Sequence, residues 1–307
     1  MPSIVSRIVP VYLRVIGANR TFVSAEGARR HIRERSLRPR PYGPPRLLRS
    51  DVSVSVDHSS GWPIYTLTPR GTARGNVVYA HGGGWVNEIA PQHWTLAANI
   101  AALSGTTVTV PIYPLIPFGT AGEVVPAFAK LVLDNKSRYG EVCLAGDSAG
   151  GQIALSTAIL LRDEHQVKLP RTVLISPALD LSLSNPEIER VQPTDPWLGQ
   201  EGSHVLTAHW RGELPLSDPI VSPLFADMAG LGPLSIFCGT RDILNPDVRL
   251  LVDKARAAGV SIDYHEGSDL VHVYPLTPTP EGRTARAAII DRLRVALSPT
   301  RAHLPRP

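Results

Sequence analysis

Gly146-Asp147-Ser148-Ala149-Gly150 lies between two stretches of different character. Ahead of it, Glu141 to Ala145 carries the short apolar run Val142, Cys143, Leu144, which reads as a strand. Behind it, Gly151 to Arg162 places Ile153, Ala154, Leu155, Ala158, Ile159 and Leu161 at helical spacing. A Gly-x-Ser-x-Gly on a strand-to-helix turn is a nucleophile elbow, in which glycines permit a cramped backbone that lifts a hydroxyl clear of the sheet. The pentapeptide alone would arise by chance in roughly one chain in seven of this composition, so its surroundings carry the inference.

Upstream, Asn76-Val77-Val78-Tyr79-Ala80 reads as a buried strand running into His81-Gly82-Gly83-Gly84-Trp85. Positions without side chains let backbone N–H groups turn toward a ligand and hold an oxyanion, each donor being worth ~3–4 kcal/mol. A lone triple glycine is more simply a chain reversal; placed before the elbow, it reads as an oxyanion loop. A serine hydroxyl also needs a base, held in one tautomer by a carboxylate. Nucleophile, acid, histidine is one of the chain orders known for such triads. Downstream, Leu234 to Cys238 is a plausible strand ending in Gly239-Thr240-Arg241-Asp242. A helix-like run, Asp247 to Ala258, is closed by Gly259 and followed by a short strand, Ser261 to His265, and a loop with His272. Asp242 and His272 therefore each follow a strand end, where open α/β sheets place their sites. Asp247 and Asp253 read as helix charges, Asp269 as a loop acid that could partner His272, and His265 as part of a strand. His58, His93, His204, His209 and His303 lack such a context and read as surface or packing residues.

With these residues in place, the chain resembles the hormone-sensitive-lipase group of α/β-hydrolase esterases, marked by His-Gly-Gly-Gly and Gly-Asp-Ser-Ala-Gly. The likeness runs through Ile175 to Ser182 and Asp218 to Leu224, and covers about residues 45 to 297. The resemblance implies Ser148 as nucleophile, His272 as general base and acid, and Asp242 as its orienting carboxylate. It implies an oxyanion hole from the N–H groups of Gly83, Gly84 and Ala149, with Gly82 in the supporting loop and His81 bracing it. Two departures stand out. Tyr113-Pro114-Leu115-Ile116-Pro117-Phe118 replaces a Tyr-Arg-Leu-Ala-Pro-Glu pattern, removing a supporting polar contact. Val273, Tyr274 and Pro275 follow His272 where glycine is common, giving a bulkier loop that narrows a pocket.

The chain has 307 residues, 43% of them apolar, enough for one α/β core plus a lid. Cys143 and Cys238 are its two cysteines and read as small core hydrophobes, with a disulfide between them as the alternative. No metal site and no cofactor are expected. No stretch approaches the ~20 unbroken apolar residues of a membrane span, and no convincing secretory signal is present, so a cytoplasmic location is expected. Residues 1 to 50 hold eleven Arg and two Glu. That basic segment could face an anionic membrane surface or an acidic partner, or be simply a solvated face. Nucleic acid is not expected, because no aromatic stacking pattern is interleaved with the basic residues. A homodimer through an edge strand is a family-level analogy.

Coarsely, Val52, Val54 and Val56 with Ile64, Tyr65 and Leu67 suggest early antiparallel strands. Thr107 to Tyr113 and Arg171 to Ile175 read as strands, Val124 to Tyr139 and residues 282 to 297 as helices, and the tail after Pro299 as loose. The expected fold is α/β: a mostly parallel central sheet with helices on both faces and a helical cap. Residues 1–45 are expected to form an N-terminal cap segment and residues 46–300 the catalytic domain, with a cap insertion at about 182–217. In that insertion Trp197, Leu198, Val205, Leu206 and Trp210 would line an apolar underside or pack the lid. The expected activity is hydrolysis of short- to medium-chain acyl esters. A lactone or amide hydrolase with the same triad, and a catalytically silent small-molecule receptor, are the alternatives.

Overall fold

The computed structural model describes residues 2–298; the expected loose tail after Pro299 and the last two residues of the expected catalytic domain lie outside them. Two helices, α1 (Ile4–Val15) and α2 (Ala25–Leu37), precede a run of alternating strands and helices. These are β1 (Val52–Asp57), β2 (Ile64–Pro69), β3 (Asn76–Ala80), α3 (Pro91–Ser104), β4 (Thr107–Pro111), α4 (Ala121–Tyr139), β5 (Val142–Asp147), α5 (Ala149–His165) and β6 (Thr172–Ile175). Then come α6 (Glu187–Val191), α7 (Gln200–Trp210), β7 (Leu234–Arg241), α8 (Asn245–Ala257), β8 (Ile262–Val271) and α9 (Pro280–Ala296).

The strands form one sheet in the order β1-β2-β4-β3-β5-β6-β7-β8. β1 and β2 pair antiparallel, as does β2 with β4, while every later pairing is parallel. The mostly parallel sheet matches the expectation from sequence. Its central strands are buried on both faces, which explains their unbroken apolar runs. Alternate residues feed opposite cores: Val78, Leu144 and Ile236 meet Phe128 of α4 and Ile153 of α5, whereas Val77, Cys143 and Phe237 meet Leu96 of α3 and Ile289 of α9. Each such side chain contributes about 1.5–3 kcal/mol on burial. The edge strand β1 differs: Val54 and Val56 are exposed, so their alternation marks a pleat with no cover. Both cysteines are buried and free, as core hydrophobes.

α6 and α7 interrupt the connection between β6 and β7, within the expected insertion. α7 packs on α2, so the connection between β6 and β7 meets the N-terminal segment. α1 is pinned at the other side by Glu281 at the start of α9, whose carboxylate accepts from Ser3 Oγ at 2.8 Å and Ser6 Oγ at 2.7 Å. Among the described residues, no helix is long and apolar enough to cross a membrane.

Candidate active site

β5 ends at Asp147 and α5 begins at Ala149, leaving Ser148 alone on the turn. Its backbone sits at φ 52° and ψ −117°, a region costly for a residue with a Cβ, by about 1–3 kcal/mol. The surrounding bonds hold it there: Ser148 N–H donates to Ile175 O at 2.8 Å, and Ser148 O accepts from Ala178 N–H at 3.2 Å. The flanking glycines are required by close approach. A Cβ on Gly146 would lie 2.2 Å from Gly150 O, and one on Gly150 2.0 Å from Ala80 O. The turn can be this tight only because both side chains are missing.

The turn points Ser148 Oγ at His272 Nε2, 2.9 Å away. His272 follows the end of β8, and its Nδ1 lies 2.8 Å from Asp242 Oδ2, just beyond β7. An Nδ1–H donated to the carboxylate leaves Nε2 as the acceptor for the serine hydroxyl. All three residues predicted from sequence are thus in one chain of hydrogen bonds. Asp242 is fully buried, and its other oxygen accepts Leu244 N–H at 3.0 Å. Burial alone would push the His272 pKa down. The charge and hydrogen bond of Asp242 outweigh it, with help from Asp195 and Asp147, and the imidazole is held above its ordinary value.

The glycine loop lies beside this relay. Among the described residues, the N–H groups of Gly83, Gly84 and Ala149 have no protein acceptor, and these residues line one or both of the two cavities that Ser148 also lines. Gly83 and Gly84 sit at φ 126° and 63°. The loop is tied down at Gly83 O, which accepts from both the backbone N–H and the Nδ2 of Asn87 at 3.0 Å. His81 is buried, stacks on Tyr113, and is bonded through Nδ1 to Gly82 O at 2.7 Å. Burial, and then His93, depress its pKa to about 4, so it stays neutral beside the loop. Tyr113 OH donates to His81 O at 2.8 Å, a polar brace that stands despite the altered sequence after Tyr113.

Several functional neighbours escaped the sequence reading. Asp147, inside the pentapeptide, is buried and accepts from Tyr79 OH at 2.6 Å and Gly82 N–H at 3.0 Å. Its other oxygen faces His93 Nε2 at 3.2 Å. Burial would raise its pKa, but His93, Tyr79 and Gly82 together lower it, so the carboxylate stays ionised and fastens the glycine loop to the elbow. His93 is therefore a buried member of the site's surroundings, and its residue type one turn into a helix gave no hint of that partner. Gln152 is a second hub: its Oε1 accepts from Trp85 Nε1 at 3.3 Å and from Trp210 Nε1 at 2.9 Å. Asp269 is no loop acid. It lies within β8, its carboxylate pairs with Arg241 at 3.6 Å, and its N–H donates to Thr240 Oγ1. Asp242 holds His272 instead.

Two cavities meet at Ser148. The larger, about 600 Å³, is lined by Val5, Ile8 and Tyr12 of α1, with Trp197, His272 and Leu276. The smaller, about 40 Å³, is enclosed by Phe22, Ala178, Leu183, Leu206 and Leu244, and does not touch His272. Trp197, Leu198 and Leu206 of the insertion line these spaces, whereas Trp210 is fully buried against Trp85. A groove of about 700 Å³ lies at Gly75, Glu141, Pro170 and Pro233, before the starts of β3, β5, β6 and β7, at the opposite end of the sheet from Ser148. Among the described residues, no three His, Cys, Asp or Glu side chains are grouped to hold a metal ion.

The geometry can deprotonate a serine hydroxyl as it attacks, and can solvate an oxyanion beside it. Comparison with known proteins agrees in kind. A family model described as the alpha/beta hydrolase fold matches residues 77–276. The triacylglycerol lipase of Mycobacterium tuberculosis (strain H37Rv) is 31% identical over 82% of this chain and 54% of its own length, so the chain spans about half of that relative. Carboxylesterase NlhH of the same organism is 28% identical over 83% of this chain and 84% of its own. The crystal structure of an esterase from the bacterial hormone-sensitive lipase family superposes with a TM-score of 0.74 at 28% identity, covering 87% of this chain and 96% of that one. The chain belongs to the α/β-hydrolase family, in its hormone-sensitive-lipase-like branch.

Proposed function

We propose that this chain is a serine carboxylic-ester hydrolase. The observation that carries the reading is the relay from Ser148 Oγ through His272 to Asp242, at 2.9 Å and 2.8 Å. Ser148 Oγ attacks the ester carbonyl while His272 Nε2 takes its proton. Asp242 holds the imidazole in the accepting tautomer and stabilises the imidazolium that forms. The tetrahedral oxyanion is received by the N–H groups of Gly83, Gly84 and Ala149. On collapse, the carbon–oxygen bond to the alcohol breaks and His272 returns its proton to the leaving oxygen. Water then enters along the same route, and the acid is released from Ser148.

The two cavities support an assignment of acyl and alcohol. The leaving oxygen must reach His272 Nε2, so the alcohol lies on the side lined by His272, which is the cavity of about 600 Å³. The acyl chain then enters the cavity of about 40 Å³, room for about three water-sized groups. The proposed substrate is therefore a short-chain ester, acetyl or propionyl, of a long apolar alcohol. Lactones fit less well, because their acyl and alcohol parts are joined and cannot part into two cavities.

Octyl acetate and ethyl octanoate are isomers and separate the two assignments. Octyl acetate is expected to show at least ~10-fold higher kcat/KM, since each misplaced methylene costs about 1–3 kcal/mol. Equal rates, or a preference for ethyl octanoate, would place the acyl chain in the larger cavity and contradict the assignment.

A further inference from the structure

Asp195 stands behind the Ser148 relay on a different part of the chain. It lies between α6 and α7, and only 8% of its surface is exposed. One carboxylate oxygen accepts from the backbone N–H groups of Trp197 at 2.8 Å and Leu198 at 2.9 Å. The other accepts from Ile243 N–H at 2.9 Å, immediately after Asp242. The next N–H along, that of Leu244, goes to Asp242 itself. Two carboxylates thus share the turn that leaves β7.

The same side chain shapes the substrate space. By folding the chain back at Trp197, Asp195 sets that indole edge-on to the His272 ring, 5.8 Å between centroids and 90° between planes. Leu198, held by the same oxygen, lines both cavities. One buried carboxylate therefore connects the cap insertion, the acid's turn and the imidazole.

We infer that Asp195 is a positioning residue for the Ser148 reaction, which locks the cap onto the Asp242 turn and adds a second negative charge behind the His272 imidazolium. This rests on the ester-hydrolase reading. The charged groups facing His272 are Asp242, Asp195 and Asp147; those facing Asp195 are Asp242 and His272. Burial, and then Asp242, raise the Asp195 pKa to about 6. His272 is held above its ordinary value of about 6.5. The Asp195 carboxylate is among the charges that hold the His272 pKa up against burial. Catalysis needs His272 neutral, so activity falls as pH drops through the raised His272 pKa.

Asp195→Asn keeps the size of the side chain and removes its charge. An amide has one oxygen, and its NH₂ would face the Ile243 N–H, donor against donor, so that bond is lost. The experiment is the pH profile of kcat/KM on octyl acetate for the parent and for D195N, with Asp195→Ser as a second variant and circular dichroism to establish folding. Two changes are expected in both variants: the acid limb moves to lower pH, and the plateau falls by ~10-fold or more, with KM rising as Trp197 and Leu198 loosen. A lower plateau with an unmoved limb would make Asp195 merely structural and overturn the inference, as would a limb moving to higher pH. Failure of the underlying reading looks different: Ser148→Ala would then hydrolyse octyl acetate as fast as the parent.

Discussion

Ser148→Ala is expected to lower kcat on octyl acetate by about 10⁵–10⁶-fold, equivalent to roughly 7–8 kcal/mol of transition-state stabilisation. Ser148 Oγ is the atom that His272 activates for attack. Ala lacks the hydroxyl that lies 2.9 Å from His272 Nε2, and the imidazole then has no proton to take. The variant should not become wholly inert, because the glycine loop and the Ala149 N–H still stabilise an oxyanion if water attacks. A residual rate of about 10³–10⁴ over the uncatalysed reaction is expected from those donors and from binding. The fold should persist, since Ser148 is held by its own backbone N–H and C=O and, among the described residues, its hydroxyl bonds only to His272. KM should change far less than kcat.

Asp242→Asn carries the second large effect, about 10⁴-fold in kcat. The reason lies in what each carboxylate oxygen accepts. Oδ2 receives the His272 Nδ1–H and Oδ1 receives the Leu244 N–H. An asparagine offers one oxygen and one NH₂ in those two places. If the oxygen stays with Leu244, the NH₂ donates to Nδ1, and the imidazole proton moves to Nε2. The nitrogen facing Ser148 then cannot accept the hydroxyl proton. If the amide flips, its NH₂ meets the Leu244 N–H instead, leaving a buried donor unpaired at a cost of about 1–3 kcal/mol. Either arrangement loses rate. Loss of the Asp242 charge also removes the largest influence holding the His272 pKa up against burial, so any remaining activity should extend to lower pH. A D242N variant with parental kcat and pH profile would exclude Asp242 from the relay.

Where the chain's local signals agreed with its tertiary setting, the sequence was legible. Asn76 to Ala80 emerges as β3 with those bounds, because a buried central strand is both apolar and closed by the glycines that follow. Ser148 was legible because composition marks a strand before it and a helix after it, whereas Asp242 and His272 were legible from their order along the chain, each after a strand-like run. β8 was read too short. Glu266-Gly267-Ser268-Asp269 carries no apolar pattern, yet the strand runs on to Val271 because β7 supplies a partner ladder, with an irregularity between Gly239 and Arg241. That extension is what removes Asp269 from contention and delivers His272 to Ser148.

The remaining parts of the site depend on contacts that no local pattern encodes. His93 is a buried partner of Asp147 across 54 residues of chain, and Asp195 reaches Ile243 across 48. Neither separation leaves a periodic signature. The N-terminal segment, expected as a cap, holds two helices, α1 at the larger cavity and α2 against α7. Val273, at φ 47° with its N–H donated to Ser176 Oγ at 3.0 Å, shows a further tertiary override, because a β-branched residue is the least suited to that conformation. Its position beside His272 in the larger cavity agrees with the bulkier loop expected after the histidine.

Treatment with a fluorophosphonate, followed by mass spectrometry of the digested protein, tests the central claim most directly. The phosphorus should be attacked by the activated Ser148 Oγ with loss of fluoride, placing a single adduct on the peptide that contains Gly146 to Gly150 and abolishing ester hydrolysis in proportion to labelling. Protein that hydrolyses octyl acetate while Ser148 remains unlabelled, or that loses activity through an adduct elsewhere, would contradict the account.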